Sequence, residues 1–272
     1  MNYPIWHLPQ IGGGLVIAII AILHVVISHL AVGGGLFLVL TERKARITGD
    51  QALLDYVKRH TNFFVLLTMV FGGVSGVGIW FIIALVHPAA TSVLIHNFVF
   101  GWAIEWVFFI GEIVALLIYY HRFDKMDPKD HMILGWLYFV FAWLSLFVIN
   151  GILGFMLTPG KWLVGGGFWN GFFNPSFLPG LIFRTCISLL FAGVFGLVTA
   201  AFSKDEALQK RVFRYCAKWM YLPIIALLLS GFYYTRVMSI AAFENLFHFN
   251  PESGLFISVL IITSVLIFGL GL

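Results

Sequence analysis

Long apolar stretches separated by short charged segments dominate the hydropathy pattern of this chain. Each stretch is close to or longer than the ~20 residues that an α-helix needs to cross a bilayer. The ten-residue alternating segments of a membrane β-barrel are absent, and helices satisfy their own backbone hydrogen bonds in lipid. The pattern predicts seven transmembrane helices, over about residues 11–41, 61–86, 95–120, 131–158, 177–202, 212–240 and 254–272.

The composition fits this prediction, since 61% of the 272 residues are hydrophobic and only 10% are charged. Soluble domains carry about 25% charged residues. We therefore expect an all-α integral membrane protein with one transmembrane domain over residues 1–272.

The first apolar run is too long, and its flank too poor in basic residues, for a cleaved signal peptide. The last run stops in mid-pattern at Leu272, so we expect the natural chain to continue.

The basic residues are segregated along the chain. All but three of the 16 Lys and Arg residues lie in or beside the loops after the first, third and fifth predicted helices. The exceptions are Lys161, Arg184 and Arg236. Cytoplasmic loops of membrane proteins are rich in Lys and Arg, so the N-terminus is predicted to lie outside. No nucleic-acid partner is expected, and lipid surrounds the helices.

The third predicted helix carries two acids, Glu105 and Glu112. Their spacing of seven residues places them on one helical face, about 10 Å apart along the axis. An ionised carboxylate at membrane depth costs at least ~2.5 kcal/mol, so both side chains should face the protein interior. Either they form a polar track that transfers protons, or both are protonated and hydrogen-bonded to neighbouring helices.

His24 in the first predicted helix is a candidate ligand. It shares a helical face with small residues that allow a partner helix or a flat cofactor to come close, namely Gly13, Ser28, Ala31 and Gly35. His24 is therefore either a neutral histidine hydrogen-bonded between helices or an axial ligand of haem iron. His29 points about 140° away on the same helix, so the two imidazoles are not expected to share a metal.

Two further polar groups lie within predicted helices. Arg184 lies about two turns inside the fifth, where it could snorkel outward, pair with Glu105 or bind an acid group such as a haem propionate. Asn150 lies in the outer half of the fourth, and its amide needs a hydrogen-bond partner there.

Three other features bear on the type of haem, on helix packing and on the exposed surface. Neither Cys186 nor Cys216 lies in a C-x-x-C-H motif, which excludes covalent c-type haem in this chain. The glycines of residues 72–78 predict close helix packing, or room for a macrocycle. The loop over residues 121–131 has charges of alternating sign and is interpreted as solvated surface.

Taken together, these motifs resemble the large subunit (subunit I) of cytochrome bd-type quinol oxidases. The resemblance extends over residues 11–202 and rests on four segments, namely residues 23–42, 71–81, 104–112 and 150–159. His24 occupies the position of a haem-ligand histidine of the family. Glu105 and Glu112 are similar to its paired glutamates, although the spacing in the family is one residue longer.

The resemblance implies a bundle of helices in a prokaryotic cytoplasmic membrane, with haems near the outer face. Such proteins oxidise quinol, reduce dioxygen to water and take protons from the cytoplasm. His24 would be the axial ligand of a high-spin haem, of b or d type. Glu105 and Glu112 would supply protons or stabilise a reduced haem, and Arg184 and Asn150 would be cofactor-binding. A second membrane subunit is an expected partner.

Four departures from the family leave alternatives open. Arg184 stands where the family has its low-spin haem histidine, and the outer quinol-binding loop is reduced to about residues 239–253. The methionine expected in the seventh helix and the later conserved block are absent. The electron donor is therefore either quinol or an outer c-type cytochrome. Alternatively, the chain is a haem-poor anchor or assembly subunit, or a proton pathway.

Overall fold

The computed structural model describes residues 5–240 and 243–244. The helix predicted over residues 254–272 lies outside this part of the chain. Within it the fold is helical, without strands. The elements are α1 (Gly13–Thr48), α2 (Gln51–Val65), a π-helical segment (Leu66–Gly72), α3 (Gly73–Val86), α4 (Pro88–Asn97), α5 (Val99–His121), α6 (Pro128–Leu157), α7 (Trp162–Gly165), α8 (Phe168–Phe172), α9 (Phe177–Ala201), α10 (Glu206–Tyr221) and α11 (Ile224–Val237).

The described residues contain six helical stretches that are long and apolar enough to cross a membrane. They confirm the all-α transmembrane fold and correspond to the first six predicted helices. They span Gly13–Thr48, Gln51–Val86, Val99–His121, Pro128–Leu157, Phe177–Ala201 and Glu206–Val237.

Capping and proline residues explain where the second and sixth stretches differ from the helices that hydropathy predicts. The second begins ten residues before the predicted start, because the side chain of Asp50 caps α2 by accepting a 3.0 Å hydrogen bond from the Leu53 amide. The first turns of α2 are polar, so hydropathy alone does not detect them. The sixth is interrupted before Pro223, which has no backbone N–H to continue a helix.

α1 is central to the bundle because its small residues allow other helices to approach closely. It packs against α2, α3, α6 and α9. A Cβ atom at Gly33 would lie 1.8 Å from the Ser188 carbonyl oxygen of α9, and one at Gly35 would lie 2.4 Å from the Tyr138 ring of α6. At Gly35 the neighbour that comes close is the partner helix α6, one of the two alternatives predicted for this face of α1.

The three basic segments lie at one end of the bundle, called the basic end below. Arg211 of α10 pairs with Asp50 at the α1–α2 junction, with 2.6 Å between Nη1 and Oδ2. Lys58 of α2 forms an ion pair with Asp124 of the α5–α6 loop. α5 runs toward this end and α6 runs away from it, so the two helices pack antiparallel.

The opposite end carries more helix than predicted. Residues 88–94, which lie between the second and third predicted helices, form most of α4, because Pro88 suits a first helical position and His87 caps the Ala90 amide. Residues 159–176, which lie between the fourth and fifth predicted helices, contain the short helices α7 and α8. Its aromatic side chains pack together, with the rings of Phe168 and Phe172 stacked at 5.4 Å.

Candidate functional site

Glu105 and Glu112 lie on the side of α5 that faces α6. Glu105 Oε1 accepts a 2.8 Å hydrogen bond from the Ser145 hydroxyl of α6. Glu112 has no hydrogen bond to any described residue, and it interacts electrostatically with Glu105 and with Tyr138 of α6. Both acids are half-buried. The α5–α6 interface therefore holds a pair of acids that no described cation neutralises.

His24 faces α3. Its Nδ1 atom lies 3.1 Å from the Ser75 hydroxyl oxygen, and that hydroxyl donates its hydrogen to the Phe71 carbonyl at 2.5 Å. Since the hydroxyl hydrogen is used, His24 Nδ1 is the donor to Ser75. Nε2 is then the unprotonated ring nitrogen, which is the form that binds a metal. A hydrogen bond from the second ring nitrogen is the usual way in which a ligating histidine is oriented.

The surroundings of His24 are compatible with a haem. A Cβ atom at Gly76 would lie 3.1 Å from Cε1 of His24, so a larger residue there would press on the ring. A ring nitrogen without a hydrogen bond to a described residue fits the binding of haem iron. Separately, the buried indole nitrogen of Trp102, one turn before Glu105 on α5, has no acceptor among the described residues.

Arg184 and Asn150 lie on α9 and α6. No carboxylate of the described residues lies within ion-pair distance of Arg184. Its possible pairing with Glu105 is therefore not formed, because Glu105 bonds to Ser145 instead. Asn150 is buried and donates from Nδ2 to the Phe177 carbonyl at 2.8 Å, which is the amide partner that its position requires.

The predicted residues do not form one contiguous cluster. No hydrogen bond or ion pair in the described part of the chain joins His24 to Glu105 or Glu112. His29 faces α9, where its ring meets Phe191, so the two histidines point to different neighbours as predicted. No group of three or more His, Cys, Asp or Glu side chains among the described residues is arranged to hold a metal ion.

The structure adds a buried ionic cluster near the basic end. Glu42 Oε1 accepts a hydrogen bond from Arg46 Nε at 2.6 Å and is hydrogen-bonded to His131 Nδ1 at 2.8 Å. Glu42 Oε2 accepts a 2.6 Å hydrogen bond from the Tyr119 hydroxyl. His131 Nε2 lies 2.9 Å from the Tyr119 carbonyl oxygen. Glu42 and His131 are completely buried.

This cluster corrects the interpretation of residues 121–131 as solvated surface. His131 belongs to α6 and points inward, because its two ring nitrogens hydrogen-bond to the Glu42 carboxyl group and the Tyr119 carbonyl. Charge pattern could not reveal this, since His131 follows a run of exposed charged residues. A signal was present in α5, where Tyr119 continues the seven-residue spacing of Glu105 and Glu112.

Comparison with known proteins identifies the family. No curated protein sequence matches the chain. The structure of bd oxidase from Geobacillus thermodenitrificans is similar, with a TM-score of 0.69 and 20% identity. The match covers 85% of this chain but only 56% of the oxidase chain. The model of the cytochrome bd terminal oxidase subunit I family matches residues 15–262. Because that match includes most of the sequence, the chain belongs to the cytochrome bd terminal oxidase subunit I family.

Proposed function

We propose that the chain is a haem-binding membrane subunit that takes part in electron transfer as an oxidase-like protein. The observation that carries this proposal is the state of His24, whose Nδ1–H is held by Ser75 and whose Nε2 is free to bind iron. Membership of the family supports it, because family members generally bind haem in a membrane oxidase.

In the proposed site His24 would hold the haem iron through Nε2, and haem, when bound, would supply the one-electron chemistry. Arg184 lacks a carboxylate partner among the described residues, so its charge is available to a propionate or another acid group. Asn150 acts as a positioning residue because it ties α6 to the first turn of α9. Glu105 and Glu112 accept and release protons, as expected for acids in the interior of a membrane protein.

The arrangement of charge suggests how the protein lies in the membrane. We place the basic end in the cytoplasm and the N-terminus outside, in a prokaryotic inner membrane. The family works with a second membrane subunit and with quinol, so quinol is favoured over an outer c-type cytochrome as the electron donor.

One observation favours a second candidate function. Arg184 occupies the position at which the family resemblance places the low-spin haem histidine, and arginine does not ligate haem iron. A haem-poor anchor or assembly subunit would retain the fold while losing such ligands. A proton pathway without haem would use the same acids, Glu105 and Glu112.

The pyridine haemochrome spectrum of the purified protein, with the haem-to-protein ratio, tests the proposal. We expect at least one haem per chain and a Soret band that shifts on reduction. His24→Ala should remove the high-spin haem signal, because the iron loses its axial nitrogen. His29→Gln is the matched control, since His29 lies on the same helix but faces α9.

Two results would contradict the proposal. A colourless wild-type protein would favour the anchor subunit. A spectrum unchanged by His24→Ala would show that the ligand lies elsewhere.

A further inference from the structure

A cleft opens at the basic end between α2 and the loop that joins α5 to α6. Its volume is about 290 Å³, and it is lined by residues of α2, of the end of α5 and of the loop. Two lysines of the lining, Lys58 and Lys125, outnumber its one acid, Asp124. The cleft therefore carries a net positive charge, and the function proposed above makes no use of it.

The protein itself neutralises only one of the two lysines. Lys58 pairs with Asp124, and this ion pair holds α2 to the loop. Lys125 is exposed and takes part in no ion pair within the described part of the chain. Exposed Asn62 and half-buried Tyr120 add an amide and a phenol to the lining. An ammonium group with such neutral donors beside it suits a ligand that has phosphate oxygens.

The cleft lies at the boundary between the polar and apolar parts of both helices. The first turns of α2 are polar, and its apolar run toward the membrane interior begins at Phe63. The apolar run of α5 ends at Tyr120, after which the charged loop follows. Such a boundary on a transmembrane helix corresponds to the headgroup level of the bilayer, where tyrosine is enriched. The lysines of the cleft are therefore level with lipid phosphates.

Exposed apolar side chains continue from the cleft toward the middle of the membrane. Leu66 follows Asn62 by one turn of α2, and Leu117 precedes Tyr120 by one turn of α5, so each leucine shares a helical face with a lining residue. Leu66 is 55% exposed and Leu117 is 38% exposed, and the two helices pack against each other. The surface thus changes from cationic to apolar within about one helical turn, ~5 Å. A phospholipid changes from headgroup to acyl chain in the same direction.

We propose that this cleft binds an anionic phospholipid, with the lipid phosphate at Lys125 and Asn62 and the acyl chains along Leu66 and Leu117. Basic pockets beside transmembrane helices on the cytoplasmic side recognise anionic headgroups in this way. A zwitterionic lipid binds less tightly, because the lysines repel its own cationic group. A soluble phosphate gains nothing from the exposed leucines. The inference goes beyond the function proposed above and does not depend on haem.

Native mass spectrometry of the protein purified in detergent tests the proposal. The protein is titrated with dioleoylphosphatidylglycerol or with dioleoylphosphatidylcholine, which have the same acyl chains, and the lipid molecules bound per chain are counted. We expect the anionic lipid to bind more tightly. Lys125→Gln should weaken its binding about fivefold, which is the factor that one basic residue near an anionic lipid surface contributes. Asn62→Asp should weaken it at least as much, because the new carboxylate repels the phosphate.

Lys129→Gln is the matched control. Lys129 is exposed at the same end of the bundle and carries the same charge, but it does not line the cleft, so its variant should bind lipid as the wild type does. Because Lys125 and Lys129 are both exposed, both variants should fold, and thermal midpoints measured without lipid check this. Glycerol 3-phosphate, which has the phosphate but no acyl chains, should not displace the anionic lipid at equal concentration.

Any of three results would overturn the proposal. Equal binding of the two lipids would show that the site does not select negative charge. Unchanged binding in Lys125→Gln, or equal losses in Lys125→Gln and Lys129→Gln, would show that lipid does not bind in the cleft. Displacement by glycerol 3-phosphate would make the cleft a site for soluble anions. The lipid count needs no haem, so a colourless protein would refute the proposed function without affecting this test.

Discussion

At the scale of single residues, Glu42 shows how a charge is accommodated in the bundle interior. Its carboxylate is completely buried, yet it is hydrogen-bonded to side chains of α1, α5 and α6. Removing one partner from a buried ion pair leaves the other charge uncompensated, which costs more than the pair contributes when intact. The three helices therefore depend on one another through this carboxylate.

Glu42→Gln should lower the free energy of unfolding by about 3–5 kcal/mol, since it leaves Arg46 without its counter-charge inside the bundle. Reversible unfolding in mixed micelles measures the effect. Lys58→Ala is the control, because the Lys58–Asp124 pair is exposed and such pairs contribute about 0–1 kcal/mol. Equal effects of the two substitutions would show that the buried cluster has no special role in stability.

At the scale of helices, close approach of backbones decides which elements pack together. Gly33 of α1 touches the α9 backbone, whereas Gly73 of α3 has no atom within 4 Å of an added Cβ. Helices in lipid associate through such close packing, because lipid tails and apolar side chains are equally apolar. The α1–α9 contact thus requires that residue 33 is glycine, which has no Cβ atom.

Gly33→Ala should destabilise the protein by about 1–3 kcal/mol, because the added methyl group forces α1 and α9 apart. Gly73→Ala should change stability by less than about 1 kcal/mol, in the stabilising direction, because alanine favours a helix over glycine. Thermal midpoints in detergent compare the two. A larger loss for Gly73→Ala than for Gly33→Ala would contradict the packing described for α1.

At the scale of the whole molecule, charge is divided between the two ends. The basic end carries the Arg211–Asp50 and Lys58–Asp124 pairs, while the opposite end carries the aromatic helices α7 and α8. Segregation of Lys and Arg sets the orientation of a membrane protein during insertion. The chain should therefore adopt one orientation in the membrane.

Cysteine labelling tests this orientation, since Cys186 and Cys216 are both buried. A membrane-impermeant maleimide is added to cells whose cytoplasmic membrane is intact but whose outer envelope has been permeabilised. It should label Lys161→Cys but not Lys129→Cys. Inside-out vesicles should show the reverse, because exposed Lys129 lies at the basic end. Labelling of Lys129→Cys from outside would contradict the placement of the basic end in the cytoplasm.

Sequence alone determined the class of the protein and most of its candidate groups. Each apolar run is long enough to cross a bilayer, and lipid permits no alternative to a helix at that length, so the six described transmembrane stretches followed from local composition. The seven-residue spacing of Glu105 and Glu112 placed both acids on one face, and His24 was recognisable among small residues.

Only the tertiary structure decided which of these groups have partners. The sequence did not show that Ser145 would pair with Glu105, that Ser75 would orient His24, or that Asn150 would bond to the Phe177 carbonyl. Those contacts depend on the relative register of neighbouring helices. Periodicity within one helix gives the direction of a side chain but not the residue that it meets. Burial of Glu42 and His131 is decided in the same way, since their polar atoms find hydrogen-bond partners only when α1, α5 and α6 come together.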